Sequence, residues 1–213
     1  CKKSVEYLGH VISKHGVEVD PKKIVAVKEF KTPTNVTEVK SFLGLTSYYR
    51  KFILNFAKIA EPLNKLTRST NGEFEWNENC ENAFNLLKSH LTQAPTLAFP
   101  NFNKQFKIQT DACDAGLGAI LCQDSDDGKR ENVIMYASRT LQESERKWST
   151  REKEGLAVVW ACEIFRPYII QSKFVVETDH ESLKWLLNAT ETGGRIGRWN
   201  MKLQEYDKIG RAS

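Results

Sequence analysis

The chain has 213 residues, 40% of them hydrophobic, and a formal net charge of +4, enough apolar content for one large core or two modest ones. No apolar run approaches the length of a bilayer span and no basic-then-apolar leader opens the chain, so neither a membrane-spanning nor a secreted protein is expected. Five cysteines without a close CxxC pair, and four histidines (His10, His15, His90, His180) without ligand spacing, exclude a disulfide framework and a zinc site and predict reduced intracellular thiols. The start at Cys1 reads as part of something longer.

Charge is uneven. Residues 1–70 carry 13 Lys and Arg against 6 Asp and Glu, and the remainder carries 18 against 21. A basic front joined to a slightly acidic back suits a nucleic-acid clamp tied to a carboxylate site; the same lysines serve equally to solvate helices.

From the front, Ser4 to Val19 reads as a strand pair turning at His15-Gly16. Asp20-Pro21 opens a helix: the Asp caps it, and proline takes the first position, where a missing N–H costs nothing. Ile24, Val27 and Phe30 lie along one face, and Lys31-Thr32-Pro33 ends it. A second helical stretch opens at Thr34 or Asn35, with Phe42, Leu45, Tyr49, Phe52, Phe56, Ile59 and Leu63 at near-helical spacing. Gly44 and Pro62 predict a cluster of helices, not one rod. Near a joint, Tyr48, Tyr49, Arg50 and Lys51 set aromatics beside bases, a combination that holds a nucleic-acid backbone or simply packs a core. Glu81 to Leu91 is a short amphipathic helix. Gln93 to Asn103 is a proline-bearing connector, with a domain boundary near residue 100.

Strand and helix signals then alternate. Phe106, Ile108 and Thr110 alternate with Lys107, Gln109 and Asp111, and Leu117, Ala119 and Leu121 with Gly118, Ile120 and Cys122, which makes a hairpin whose first strand ends in a carboxylate. A third strand covers Val133 to Ala137 after the charged turn Asp124 to Arg130. Ser149 with Glu152 is a capping box opening a helix to about Tyr168. On that helix Glu154, Ala157, Val158, Ala161 and Phe165 share one stripe, while Glu152 and Glu163 read as surface charges. Phe174 to Asp179 is another strand-like run, finishing in the same Thr-Asp dipeptide as Thr110-Asp111.

Strand, helix and strand in one sheet demand a right-handed crossover between parallel neighbours, and the crevice of such a sheet lies beyond the strands' carboxyl ends. Two Thr-Asp ends side by side, with Glu154 descending from the crossover helix, would bring three carboxylates together. Like charges that close repel unless cations sit among them, and hard oxygen donors without His or Cys favour magnesium or manganese. A two-metal carboxylate site performs phosphodiester hydrolysis.

The run Phe42-Leu43-Gly44-Leu45 through Tyr48-Tyr49-Arg50-Lys51-Phe52-Ile53, then Thr110-Asp111-Ala112-Cys113-Asp114, Tyr136-Ala137-Ser138-Arg139-Thr140-Leu141, Glu152-Lys153-Glu154 and Thr178-Asp179-His180, resembles the Pol polyprotein of gypsy-type LTR retrotransposons, in unbroken order over nearly the whole chain. The resemblance implies that residues 1–20, with Leu8-Gly9-His10 in a primer-grip hairpin, end a reverse transcriptase palm. Residues 21–66 would be the thumb, 67–100 the connection, and 101–213 an RNase H domain cutting the RNA of RNA/DNA hybrids. The implied fold class is α/β, α+β overall: a small helical part, then an RNase H-like mixed five-stranded sheet with helices.

The family's catalytic, metal-binding acids carry over as Asp111, Glu154 and Asp179, holding two Mg2+ or Mn2+ ions. Gly9, His10, Tyr49, Arg50 and Lys51 carry over as nucleic-acid contacts, with His180 and Arg139 as accessory positions. Implied partners are an RNA/DNA hybrid and the remaining polyprotein, fingers and palm upstream and integrase downstream. The implied location is intracellular, in a cytoplasmic virus-like particle or the nucleus, with no membrane.

The chain also departs from the family. Asp126-Asp127 sits in a turn without the aromatic context of the polymerase signature, so no polymerase site is expected. Cys113 replaces the usual serine beside the first acid. Arg198-Trp199 and Leu203 to Asp207 resemble the family's last strand, and the following helix, with a fourth metal-binding aspartate, is expected to be missing. Two readings stand: a ribonuclease H-type endonuclease, or a catalytically weak nucleic-acid-binding relic of a retroelement.

Overall fold

In the computed structural model, which describes residues 3–68, 74–178, 186, 194–206 and 209–211 (the last three by their backbone), the chain forms two units, Cys1–Phe99 and Pro100–Ser213. The first opens with three antiparallel strands in the order β1 (Ser4–Tyr7), β2 (His10–Ser13) and β3 (Gly16–Val19), one more than the expected pair. The extra reversal falls at Leu8-Gly9, where both residues hold positive φ, 46° and 70°. Gly16 has φ 138°, and a Cβ there would stand 2.1 Å from the Leu97 carbonyl oxygen. Glycine therefore permits the backbone pairing of Val17 with Leu97 at 2.8 and 2.9 Å.

Asp20 accepts from the Lys22 N–H at 2.8 Å and starts α1 (Pro21–Lys28), with proline in its first turn. Asn35 caps α2 (Val36–Tyr48) through the Glu38 N–H. A cluster of helices forms, as expected, although Gly44 is not one of its breaks. The rod ends instead in the 3-10 turn Arg50–Phe52 and at Asn55, whose φ of 56° is left-handed and redirects the chain into α3 (Phe56–Ile59). Pro62 lies in the first turn of α4 (Glu61–Arg68), where its lost donor had no partner. Asn77 caps α5 (Glu78–Thr92). The aromatic stripe is core: Phe42, Tyr49, Phe52 and Phe56 are all buried, and Phe42 packs on Phe84 of α5 with centroids 4.6 Å apart.

The second unit is a mixed sheet in the order β6-β5-β4-β7-β8, made of β4 (Phe106–Ala112), β5 (Gly116–Asp124), β6 (Glu131–Thr140), β7 (Phe174–Glu177) and β8 (Ile209–Arg211). The β4–β5 and β5–β6 pairs are antiparallel, and β4–β7 and β7–β8 parallel, which is the mixed α/β architecture expected. Gly116 lets β5 close on β6: a Cβ there would lie 2.6 Å from the Arg139 carbonyl oxygen.

Its helices are α6 (Glu143–Arg146), α7 (Thr150–Ile164), α8 (Arg166–Ile169) and α9 (Gly194–Gln204). The Ser149–Glu152 capping box forms, and the helix expected to reach Tyr168 breaks at Phe165. Arg198, Trp199 and Leu203 correct the reading of that stretch as the last strand: they lie in α9. Trp199 and Leu203, 7% and 1% exposed, are one helical turn apart and share the buried face of α9. The last strand among the described residues is β8. No helix among the described residues is long and apolar enough to cross a membrane.

Candidate active site

The two strands that lead into the Thr-Asp dipeptides lie side by side in the sheet. β4 and β7 pair in parallel from Phe106↔Phe174 to Gln109↔Glu177, and Thr110-Asp111 follows the first strand's last paired residue just as Thr178-Asp179 follows the second's. Asp111 is exposed and faces Gly118 on β5. Asp179 and His180 lie outside the described residues.

Two contacts set the direction of α7, which packs on β4 and β5. Near its start, the Lys153 ammonium donates to the Asp114 carboxylate at 2.6 Å, and Asp114 belongs to the reversal that follows β4. Beyond its end, Tyr168 of α8 lies against Phe106, the first residue of β4, with centroids 6.5 Å apart. The helix therefore runs antiparallel to β4, and Glu154 stands at the end where β4 delivers Asp111. Ala157, Val158, Ala161 and Phe165 are fully buried along the same stripe, and Glu154 itself is 5% exposed. Lys153 is also buried, while Asp114 is exposed; the ammonium holds the Asp114 carboxyl below its ordinary range. The pairing itself carries no sequence signal, since 39 residues separate its members.

Arg139, expected as an accessory group, is committed to a bidentate pair with Glu145 at 2.7 and 3.0 Å, beside the Trp160 ring. Burial pushes the Glu145 carboxyl up, but the guanidinium and the Gln142 N–H outweigh it and hold the group below its ordinary value. Glu163 is exposed, as expected of a surface charge, and Glu152 is half-buried; both have partners. Glu152 completes the capping box and pairs with Arg195, whose guanidinium lies 3.7 Å from the Trp148 ring centre, and Glu163 pairs with Lys202 of α9.

On the sheet, Lys107 is ringed by Asp124, Glu131 and Glu177 at 2.8, 3.3 and 3.8 Å, and Gln109 donates to Glu131 and Glu177 at 3.0 Å each. Cys122 is buried, and burial pushes its thiol up to about 12. Among the described residues no group of three or more His, Cys, Asp and Glu side chains stands close enough to hold a metal ion. Asp111 and Glu154 nevertheless bring the hard carboxylate oxygens that a magnesium or manganese ion requires.

In the first unit, the Tyr48 hydroxyl donates to the Leu8 carbonyl at 2.6 Å and the Tyr49 hydroxyl to the Gly9 carbonyl at 2.9 Å. Tyr49 is 1% exposed and Tyr48 53% exposed, so one acts from within and the other presents a ring face. His10 packs among Tyr48, Tyr49 and Phe52, with centroids 5.5, 5.5 and 5.7 Å away, and its Nδ1 donates to the Leu8 carbonyl at 2.8 Å. Burial, then the Lys51 charge, lowers the His10 pKa. Arg50 is exposed, and Lys51 lies over the Phe52 ring, its pKa lowered by burial.

Residues 101–206 match the model of the RNase H-like domain found in reverse transcriptase. The chain is 40% identical over 209 residues to the retrovirus-related Pol polyprotein from transposon 297 of Drosophila melanogaster, covering 96% of this chain and 19% of that protein. It is 37% identical over 218 residues to the Pol polyprotein from transposon gypsy of the same species, covering 97% and 20%. It thus spans about a fifth of the length of these curated relatives. Among solved structures, a foamy viral protease-reverse transcriptase in complex with dsDNA superposes with a TM-score of 0.80 at 20% identity, over 99% of this chain and 44% of that one. The complex of the foamy viral enzyme with an RNA/DNA hybrid gives 0.78 at 20% identity, over 99% and 29%. At these identities the likeness is one of fold.

Proposed function

The chain belongs to the Pol family of gypsy-type retrotransposons, with the RNase H-like domain found in reverse transcriptase at residues 101–206, and from this we propose that it hydrolyses the RNA strand of RNA/DNA hybrids through Asp111, Glu154 and Asp179. The observation that carries the reading is the Lys153–Asp114 ion pair, which sets the buried Glu154 at the end of β4 that bears Asp111. Asp179 enters by the family resemblance and by its equal spacing from the parallel register. Magnesium or manganese ions held by these carboxylates would supply Lewis-acid activation of water and of the scissile phosphate. The protein's own part is to hold the acids on two rigid elements, a strand end and a helix, with Lys153 and Asp114 locking one to the other.

The basic first unit supplies affinity for the duplex. Arg50 and Lys51 offer charge, and Gly9 and His10, where the Leu8-Gly9 turn enters β2, offer a backbone edge to phosphates, while Tyr49 fixes that turn from within. Sequence preference is not expected, because a hybrid is read by backbone shape and 2′-hydroxyls. The remaining Pol polyprotein is the proposed covalent context, inside the cell.

The test is cleavage of labelled RNA, in a hybrid and as a single strand, with and without magnesium. Metal-dependent cutting confined to the hybrid is expected, and Asp111→Asn or Glu154→Gln should lower the rate by about a hundredfold, roughly 3 kcal/mol of transition-state stabilisation. Hybrid binding without any metal-dependent cutting would instead identify a catalytically weak binding module.

A further inference from the structure

Thr110 is 9% exposed, and its hydroxyl is buried with no hydrogen-bond partner. The Thr178 hydroxyl is buried and unpartnered in the same way. These two groups are neighbours. Continued by one residue, the register Gln109↔Glu177 sets Thr110 opposite Thr178, the residue that follows β7, at about the 4.8 Å spacing of adjacent strands. Alternation turns both toward the face that carries Phe106, Ile108, Phe174 and Val176, the face packed in one core with α7. Glu154 lies on the buried stripe of that helix, at the same end of β4.

A lone buried hydroxyl costs about 1–3 kcal/mol, and valine fills the same volume without that cost. Two such hydroxyls at the strand ends, at the same end of β4 as the buried Glu154, supply the kind of polar partners that an internal water needs. We propose that one buried water bridges the Thr110 and Thr178 hydroxyls to the Glu154 carboxylate, and that the two threonines are positioning residues for that acid. Each hydroxyl offers the water a donor or an acceptor, and the water donates to the carboxylate. The polar floor keeps Glu154 in one rotamer at the rim, as outer-shell partners do for metal-binding side chains. The positioning role rests on the nuclease reading above; the water rests on packing alone.

The experiment compares Thr110→Val, Thr178→Val and Thr110→Ser with the unmodified chain, by thermal unfolding in metal-free buffer and by steady-state cleavage of a hybrid in magnesium. Each valine variant is expected to lower Tm by about 2–4 °C, and Thr110→Ser, which keeps the hydroxyl, to restore it. In the same valine variants kcat should fall about tenfold with KM unchanged, again restored by serine. A valine variant with unchanged or raised Tm overturns the water, and a lowered Tm with kcat untouched overturns the positioning role. The two readings fail separately. If the unmodified chain cuts nothing while the valine variants still lose Tm, the nuclease assignment falls and the water stands. If the unmodified chain cuts and the valine variants match it in Tm and kcat, the reverse holds.

Discussion

Arg139 and Glu145 show what a buried ion pair costs to break. Their side chains are 26% and 10% exposed, and Glu145 spends one oxygen on both Arg139 and the Gln142 N–H. Arg139→Met strands the carboxylate and should cost about 3 kcal/mol, the low end for such pairs because Arg139 reaches water. Arg139→Met with Glu145→Leu should recover most of it, read as the urea midpoint. At His10 the sign runs with pH. Its folded pKa is lowered below 6.5, so the native state prefers the neutral ring. That preference stabilises the fold above about pH 6.5 and is lost as pH falls through the folded value. The thermal midpoint of the first unit should therefore drop as the pH falls below 6.5, and in His10→Phe that drop should be smaller.

Among the elements, α7 depends most on its first turn. Ser149 and Glu152 satisfy its leading N–H groups reciprocally, at 3.3 and 3.0 Å, and the same turn leads directly to Lys153 and Glu154. Ser149→Ala should cost about 1 kcal/mol, measured by thermal unfolding, and should slow hybrid cleavage by loosening the helix start that carries Glu154. The break after α2 teaches a different lesson. Gly44 is compatible with a helix at about 1 kcal/mol relative to alanine, and packing of Val39, Phe42 and Leu43 before it and Thr46 after it outweighs that. Asn55 is the residue that redirects the chain, because its left-handed φ cannot continue a helix.

At the scale of the whole molecule, Cys1–Phe99 and Pro100–Ser213 each carry a core of their own. Calorimetry should then record a van't Hoff enthalpy below the calorimetric one, with His10→Phe moving one transition and Arg139→Met the other. A single two-state transition would refute this independence. The sequence by itself determined the helical front, the strand-and-helix back, the capping box and the stripe holding Glu154. Those signals are local: a cap, a turn residue or a period of two or 3.6 needs only a few neighbours. A failure of type among the described residues, the strand read through Trp199 and Leu203, came from a short segment where resemblance displaced periodicity. Only the tertiary structure decided that Lys153 meets Asp114 across 39 residues, that Tyr49 meets Gly9 across 40, and that α7 runs antiparallel to β4. A charged or hydroxyl side chain reads the same in sequence whether it ends in water or on a distant partner, and packing alone chooses between them.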